Sequence, residues 1–198
     1  VAARFGMEHG LALPYRSQLP VVLPPDSELN ALPAGPVRHA AIKRCLSRGH
    51  TGAEPSGHFS LGLSAYVQAT SPIRRYADLV VQRQLLALQQ NAEPLAAEAL
   101  QGLLTDLDGS IRQGIQISRE DQRHWQQVWF HNHRQEHWAA LFLRWLRPQE
   151  RLGLVHVDAL GLDLAAECPA GSQPGDALQL RVQLVDPLRD QLRLLATG

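Results

Sequence analysis

Lysine, methionine and cysteine are nearly missing from this chain of 198 residues. Lys43 is the only lysine, Met7 the only methionine, and Cys45 and Cys168 the only cysteines. Two thiols so far apart, in no metal-type spacing, exclude a disulfide scaffold and a zinc ribbon, and point to a reducing, cytoplasmic compartment. Aromatic residues are scarce at 6%, so a surface built mainly on base stacking is not expected. No apolar run approaches the ~18 residues that a membrane helix needs. Nor is there an excess of either charge: 19 basic and 19 acidic residues leave a net charge of zero, which excludes a uniformly basic nucleic-acid-binding domain. The opening Val1-Ala2-Ala3-Arg4-Phe5 is neither a signal peptide nor an initiator methionine. It begins mid-pattern, as a piece of something longer would.

What the chain does have is apolar content for a packed core, 44% of residues, which excludes disorder as its main state. Its length suits two modest domains. Apart from Lys43 its basic residues are all arginine, the side chain suited to bidentate phosphate contacts, and nine histidines add charge that pH can adjust. Zero net charge therefore says little about any one surface.

Residues 1–35 are rich in turn formers (Pro14, Pro20, Pro24, Pro25, Pro33, Gly35) and read as a short helix over the first nine residues followed by an extended connector. Pro36 opens a helix to about Arg48, and residues 50–60 read as loop. Thr70-Ser71-Pro72 predicts a helix start, with Ile73, Ala77, Val80, Val81 and Leu85 on its apolar face to about Gln90. Pro94 opens another helix with the stripe Leu100, Leu103, Leu104 and Leu107, ending near Gly109. Ser110 then caps a third, running to about His137. From Trp138 the pattern changes to five short alternating runs separated by turn signals, as in a small antiparallel barrel. The boundary falls between residues 137 and 138.

The segment that carries chemistry is Thr70-Ser71-Pro72-Ile73-Arg74-Arg75-Tyr76-Ala77-Asp78. With Thr70 or Ser71 as cap, Arg74 and Arg75 fall in the first helical turn, where the dipole is already positive and cations are unfavourable. Two guanidinium groups there make sense around an anion, such as a phosphate. The alternative is structural: one arginine pairs with Asp78.

Gly57-His58-Phe59-Ser60-Leu61-Gly62-Leu63-Ser64-Ala65-Tyr66, followed by Thr70 to Leu79 and Arg83, closely resembles the signature of the ribonuclease II/ribonuclease R family. The resemblance is detailed over residues 57–83 and architectural over the rest. It implies an α+β chain: the mainly helical C-terminal part of an RNB-type catalytic domain (residues 1–137), then a five-stranded antiparallel OB-fold barrel of the S-one type (138–198). It also implies part of a hydrolytic, Mg²⁺-dependent exoribonuclease that degrades single-stranded RNA from its 3′ end to nucleoside monophosphates. Arg74 takes the place of the catalytic arginine that contacts the phosphate, and Arg75 is either structural or on the RNA backbone. An acidic residue about forty positions later corresponds to Glu120, in a register that could instead place Arg119 there. Thr70, Ser71, His58 and Arg83 lie in or beside the signature and are further candidate RNA contacts, with capping of its loop as the alternative role of His58; Tyr66 and Tyr76 pack against the arginine helix.

The family's aspartate cluster for Mg²⁺ has no counterpart in this sequence. Asp106-Leu107-Asp108-Gly109 lacks the later ligands of a metal loop and reads as a helix-ending turn. His131, Asn132, His133 and His137 read as ordinary helix-surface residues. The expectation is that Mg²⁺ binds upstream residues, that the partners are single-stranded RNA and the N-terminal remainder of the enzyme, that no membrane is involved, and that this segment alone does not catalyse. In the barrel, Phe142, Trp145, His156 and Arg181 are candidate RNA contacts, weak in total because Asp158, Asp163 and Glu167 lie among them. The rival reading is a catalytically inactive RNA-binding clamp or adaptor of the same family. A helical protein whose arginine pair is only a salt-bridge element is a further alternative.

Overall fold

The computed structural model describes residues 1–198 as two compact units. The first comprises Val1–Val22 and Cys45–Ile115, the second Leu23–Arg44 and Gln116–Gly198.

In the first unit, α1 (Ala2–Glu8) packs Ala3 into a core with Leu11, Leu13, Tyr15, Val67 and Val81. The connector is more structured than its prolines predict. Tyr15–Ser17 forms β1, which pairs antiparallel with β2 (His50–Gly52). Pairing of this kind across a long chain separation leaves no local sequence signal. Gly6 permits the close packing, since a Cβ there would lie 2.4 Å from Leu13 Cδ1.

The second unit includes α2 (Asp26–Ala31) and α3 (Pro36–Cys45), the latter shorter than its expected reach to Arg48.

Back in the first unit, α4 (Tyr76–Gln89) buries Val80, Val81 and Gln84. The expected start at Pro72 is wrong by four residues. Residues 71–75 make a turn, in which Arg74 N–H and Arg75 N–H donate to Ser71 O at 3.2 and 3.0 Å. Arg75 then adopts an extended conformation (φ −130°, ψ 107°), so the helix begins only at Tyr76. Ile73 is consequently exposed rather than part of the apolar face, and Tyr76 is 45% exposed rather than packed.

α5 (Ala97–Asn132) runs unbroken for 36 residues. The expected break at Gly109-Ser110 does not occur. Gly109 costs about 1 kcal/mol against alanine in a helix, too little to stop one that is held at both ends. Leu100 and Leu104 bury one end in the first unit, and Phe130 buries the other in the second. Asp106 and Asp108 are thus mid-helix rather than in a turn, and Asp108 pairs with Arg112 at 2.8 Å.

The centre of the second unit is a closed barrel of β3 (His137–Arg147), β4 (Leu152–Val157), β5 (Leu162–Glu167), β6 (Ala177–Asp186) and β7 (Gln191–Thr197), in the order β3-β4-β5-β7-β6. Five strands are present as expected, but the barrel is not wholly antiparallel: β5 meets β7 in parallel through Glu167 and Leu195. Alternation puts Ala140, Phe142, Val155, Val157, Leu164, Ala166, Leu178, Leu180, Leu194 and Ala196 inside. Phe142 is thereby a core residue and not an RNA contact. Trp145, against it at 4.9 Å, is partly buried on the same core.

Candidate functional site

In the first unit the 57–78 segment is organised from two buried polar side chains. Gln18 is one. Its amide donates to Ser47 O at 2.8 Å, its Oε1 accepts from Ser60 N–H at 2.9 Å and from the Ser60 hydroxyl, and its own backbone N–H donates to Gly57 O at 3.0 Å. His58 N–H donates to Leu63 O at 2.8 Å, closing a tight loop that Gly62 allows by its left-handed conformation (φ 62°). The His58 ring meets Tyr66 edge-on, with centroids 5.7 Å apart, and its Nδ1 is buried without a hydrogen-bond partner. A cavity of about 490 Å³ opens beside it, lined by Gln18, Leu19, Ser56, His58, Phe59 and Leu63 among others.

Asp78 is the second. It is fully buried at the third position of α4, where a carboxylate is favoured by the helix dipole. One oxygen accepts from Ser71 N–H at 2.9 Å and from Arg75 Nε and a terminal guanidinium nitrogen at 3.1 and 2.7 Å. Arg75 is therefore the structural arginine of the pair, and Ser71 contributes its backbone to the same knot. The other Asp78 oxygen is buried without a partner.

Arg74 stands apart. Its side chain is exposed and has neither an ion pair nor a hydrogen bond. It precedes the helix rather than lying in its first turn, so the expected clash of two cations with the dipole does not arise. What fixes Arg74 is the Ser71–Arg75 turn, tied down by Asp78. Thr70 and Arg83 are also exposed, at the turn and on α4.

Glu120 and Arg119 lie on the exposed stretch of α5, in the second unit, while Arg74 belongs to the first. Glu120 accepts a hydrogen bond from Gln116 at 2.9 Å. In the barrel, His156 is engaged by Asp163 at 2.8 Å, whereas Arg181 is exposed and unpartnered. His133 stacks on Trp129 at 4.1 Å and hydrogen-bonds its carbonyl at 2.7 Å.

No three His, Cys, Asp or Glu side chains converge in a way that could hold a metal ion. The residues of this chain do not fit a Mg²⁺ site of the carboxylate type. No helix is long and apolar enough to cross a membrane. Sequence reasoning missed the buried role of Gln18 because a glutamine after a short strand carries no local signature; only the fold brings Ser47 and Ser60 to it.

Residues 14–91 match the RNB domain. Over 98% of its length the chain is 42% identical to the ribonuclease sll1290 of Synechocystis sp. and 32% identical to the chloroplastic/mitochondrial ribonuclease II of Arabidopsis thaliana. It spans 29% and 24% of those two relatives. Among solved structures it resembles the Dss1 exoribonuclease of Candida glabrata, with a TM-score of 0.77 at 17% identity, covering 98% of this chain and 27% of that one. It also resembles Mycoplasma genitalium RNase R in complex with single-stranded RNA, with a TM-score of 0.67 at 16% identity, over 99% of this chain and 39% of that one. At such identities those two likenesses are of fold. The RNB match covers the loop of His58, the arginine turn and α4, the same residues that carry the signature, and the chain belongs to the ribonuclease II/ribonuclease R family.

Proposed function

We propose that this chain is the part of a hydrolytic 3′-to-5′ exoribonuclease that supplies a phosphate-contacting arginine and a C-terminal RNA-binding barrel, with the functional boundary between residues 137 and 138. The substrate in this reading is single-stranded RNA and the product nucleoside monophosphates. The observation that carries it is the division of labour between adjacent arginines. Arg75 is consumed by the buried Asp78, while Arg74 is held at the surface by the same turn with all its guanidinium donors free. An arginine fixed at its backbone and unpaired at its head is pre-organised to meet charge that develops on a phosphoryl oxygen. Ser71 acts through Asp78 as a positioning residue, and Glu120 is a further catalytic candidate on α5. Thr70, His58, Arg83 and Arg181 are assigned to the RNA path. We assign Mg²⁺ to carboxylates of the longer enzyme, since none converge here.

The test is Arg74→Ala in the full-length enzyme, read by single-turnover cleavage and by RNA binding. At least a tenfold loss of cleavage with RNA affinity changed less than threefold is expected, as for the removal of one preorganised donor. Unchanged cleavage overturns the assignment. An enzyme whose wild type binds RNA but does not cleave it favours the clamp or adaptor reading instead.

A further inference from the structure

Barrels of this architecture commonly hold a strand on the face of their second and third strands and on the loops that join the first to the second and the fourth to the fifth. Here those are β4, β5 and the turns at 148–151 and 187–190. Their basic side chains already have carboxylate partners. His156 is engaged by Asp163 and Asp158 at 2.8 and 3.8 Å, and Arg151 by Glu167 at 2.6 Å. Arg147 pairs with Glu150 at 2.7 Å, Arg189 with Asp186 at 3.6 Å, and Arg123 with Asp190. A phosphate arriving there would displace a carboxylate from each cation it used.

The opposite holds at the seam of β3 and β6. Arg134 lies just after α5, His137 begins β3, and Arg181 sits directly across from His137 on β6. All three line one pocket of about 410 Å³, together with Gln135 and Gln183, and no carboxylate lines it. Glu136, between Arg134 and His137 in sequence, is not among its walls. Neither guanidinium has an ion-pair or hydrogen-bond partner. Two guanidinium groups lining one pocket with no carboxylate among its walls repel each other on their own, and an anion between them reverses the sign. Two guanidinium forks and two amides are donors suited to phosphate oxygens.

We propose that Arg134, His137 and Arg181 form a site for the phosphodiester backbone of single-stranded RNA, on the β3–β6 seam and not on the β4–β5 face. This rests on the RNA-binding reading above and says where the barrel grips the strand. It does not require aromatic stacking, which the sparse aromatics of the barrel surface would not support.

The 198-residue chain is titrated against a fluorescein-labelled ten-nucleotide oligouridine by anisotropy over a range of salt, with circular dichroism melting to verify that each variant is folded. The double variant Arg134→Gln/Arg181→Gln is expected to bind at least tenfold more weakly. Its slope of log affinity against log salt should fall by about 1.4, at about 0.7 for each single-strand phosphate that is no longer neutralised. Arg151→Gln, on the β4–β5 face, should bind within twofold of wild type, and an abasic strand of the same length should compete as well as oligouridine. Unchanged binding by the double variant, or a weakening confined to Arg151→Gln, overturns the site while leaving the RNA-binding reading intact. Displacement by inorganic phosphate at matched ionic strength as effective as by the abasic strand overturns the strand as its ligand. A wild-type chain that binds no RNA overturns both.

Discussion

Two neighbouring arginines differ in what they do because of one buried carboxylate. Removing Arg75 leaves Asp78 fully buried without its cation, a loss of about 3 kcal/mol. Removing the exposed, unpaired Arg74 should change stability by less than about 0.5 kcal/mol. Urea unfolding of Arg75→Ala and Arg74→Ala in this chain measures both, and equal losses would show that the guanidinium–Asp78 pair does not hold the turn. A second residue-scale outcome concerns alkaline pH. Burial pushes the Cys168 thiol above its ordinary range and the Glu167 charge adds to this, while a backbone hydrogen bond from Gly153 works the other way. The unfolded thiol ionises near its ordinary pKa of about 8.5 while the folded one keeps its proton. Its contribution to stability is therefore complete below that pH and is lost as pH rises through the folded value. The urea midpoint should fall between pH 8 and 10, and Cys168→Ala should flatten that fall. Tyr15, also raised by burial and by Glu54, leaves a residual decline at the alkaline end.

At the scale of elements, α5 is the case where local punctuation and fold disagree. Gly109 and Gly114 lie within the helix, and a Cβ on either would meet nothing within 4 Å. Gly109→Ala and Gly114→Ala should each stabilise the chain by about 0.8–1 kcal/mol, read as a raised urea midpoint. A fall in stability for either would mean the helix is interrupted there. The same element shows what is legible in sequence. The leucine stripe 100–107 and the aromatic run to Phe130 are readable as helix because their period survives. The continuity between them is not readable, because Ile111, Ile115 and Trp125 are exposed and the helix there is held by its ends. The barrel strands are readable for the same reason of period, but the parallel contact of β5 with β7 is not, since register across a closing seam has no local signal. At the site, the signature puts Arg74, Arg75 and Asp78 in one segment, and the fold joins Arg75 to Asp78. A helix start placed four residues early misassigns their mechanics, because Thr-Ser-Pro is as good a turn as it is a cap. Only the position of Asp78 in the fold distinguishes the two arginines.

For the whole molecule, zero net charge weighs against RNA only if the charges are spread evenly, and the distribution of ion pairs shows that they are not. Along the barrel's 148–151 turn, the end of β5 and the 187–190 turn, Glu150, Glu167 and Asp186 are paired with arginines, so these charges cancel in place and contribute little field at a distance. Arg74, Arg134 and Arg181 are left unmatched. A neutral chain can in this way present focused phosphate contacts without a basic surface. Carboxylates that could orient a metal and an attacking water are a different matter, since no three of this chain's acidic, histidine or cysteine side chains are placed to hold a metal ion. With the chain spanning 29% of its Synechocystis relative, binding and chemistry should separate experimentally. The purified 198-residue chain should bind single-stranded RNA yet release no mononucleotides in the presence of Mg²⁺. Thin-layer separation of products from a uniformly labelled oligonucleotide checks this. Mg²⁺-dependent release that Arg74→Ala abolishes would show that the chain assembles a metal site of its own, and would move the catalytic carboxylates from the longer enzyme to residues here.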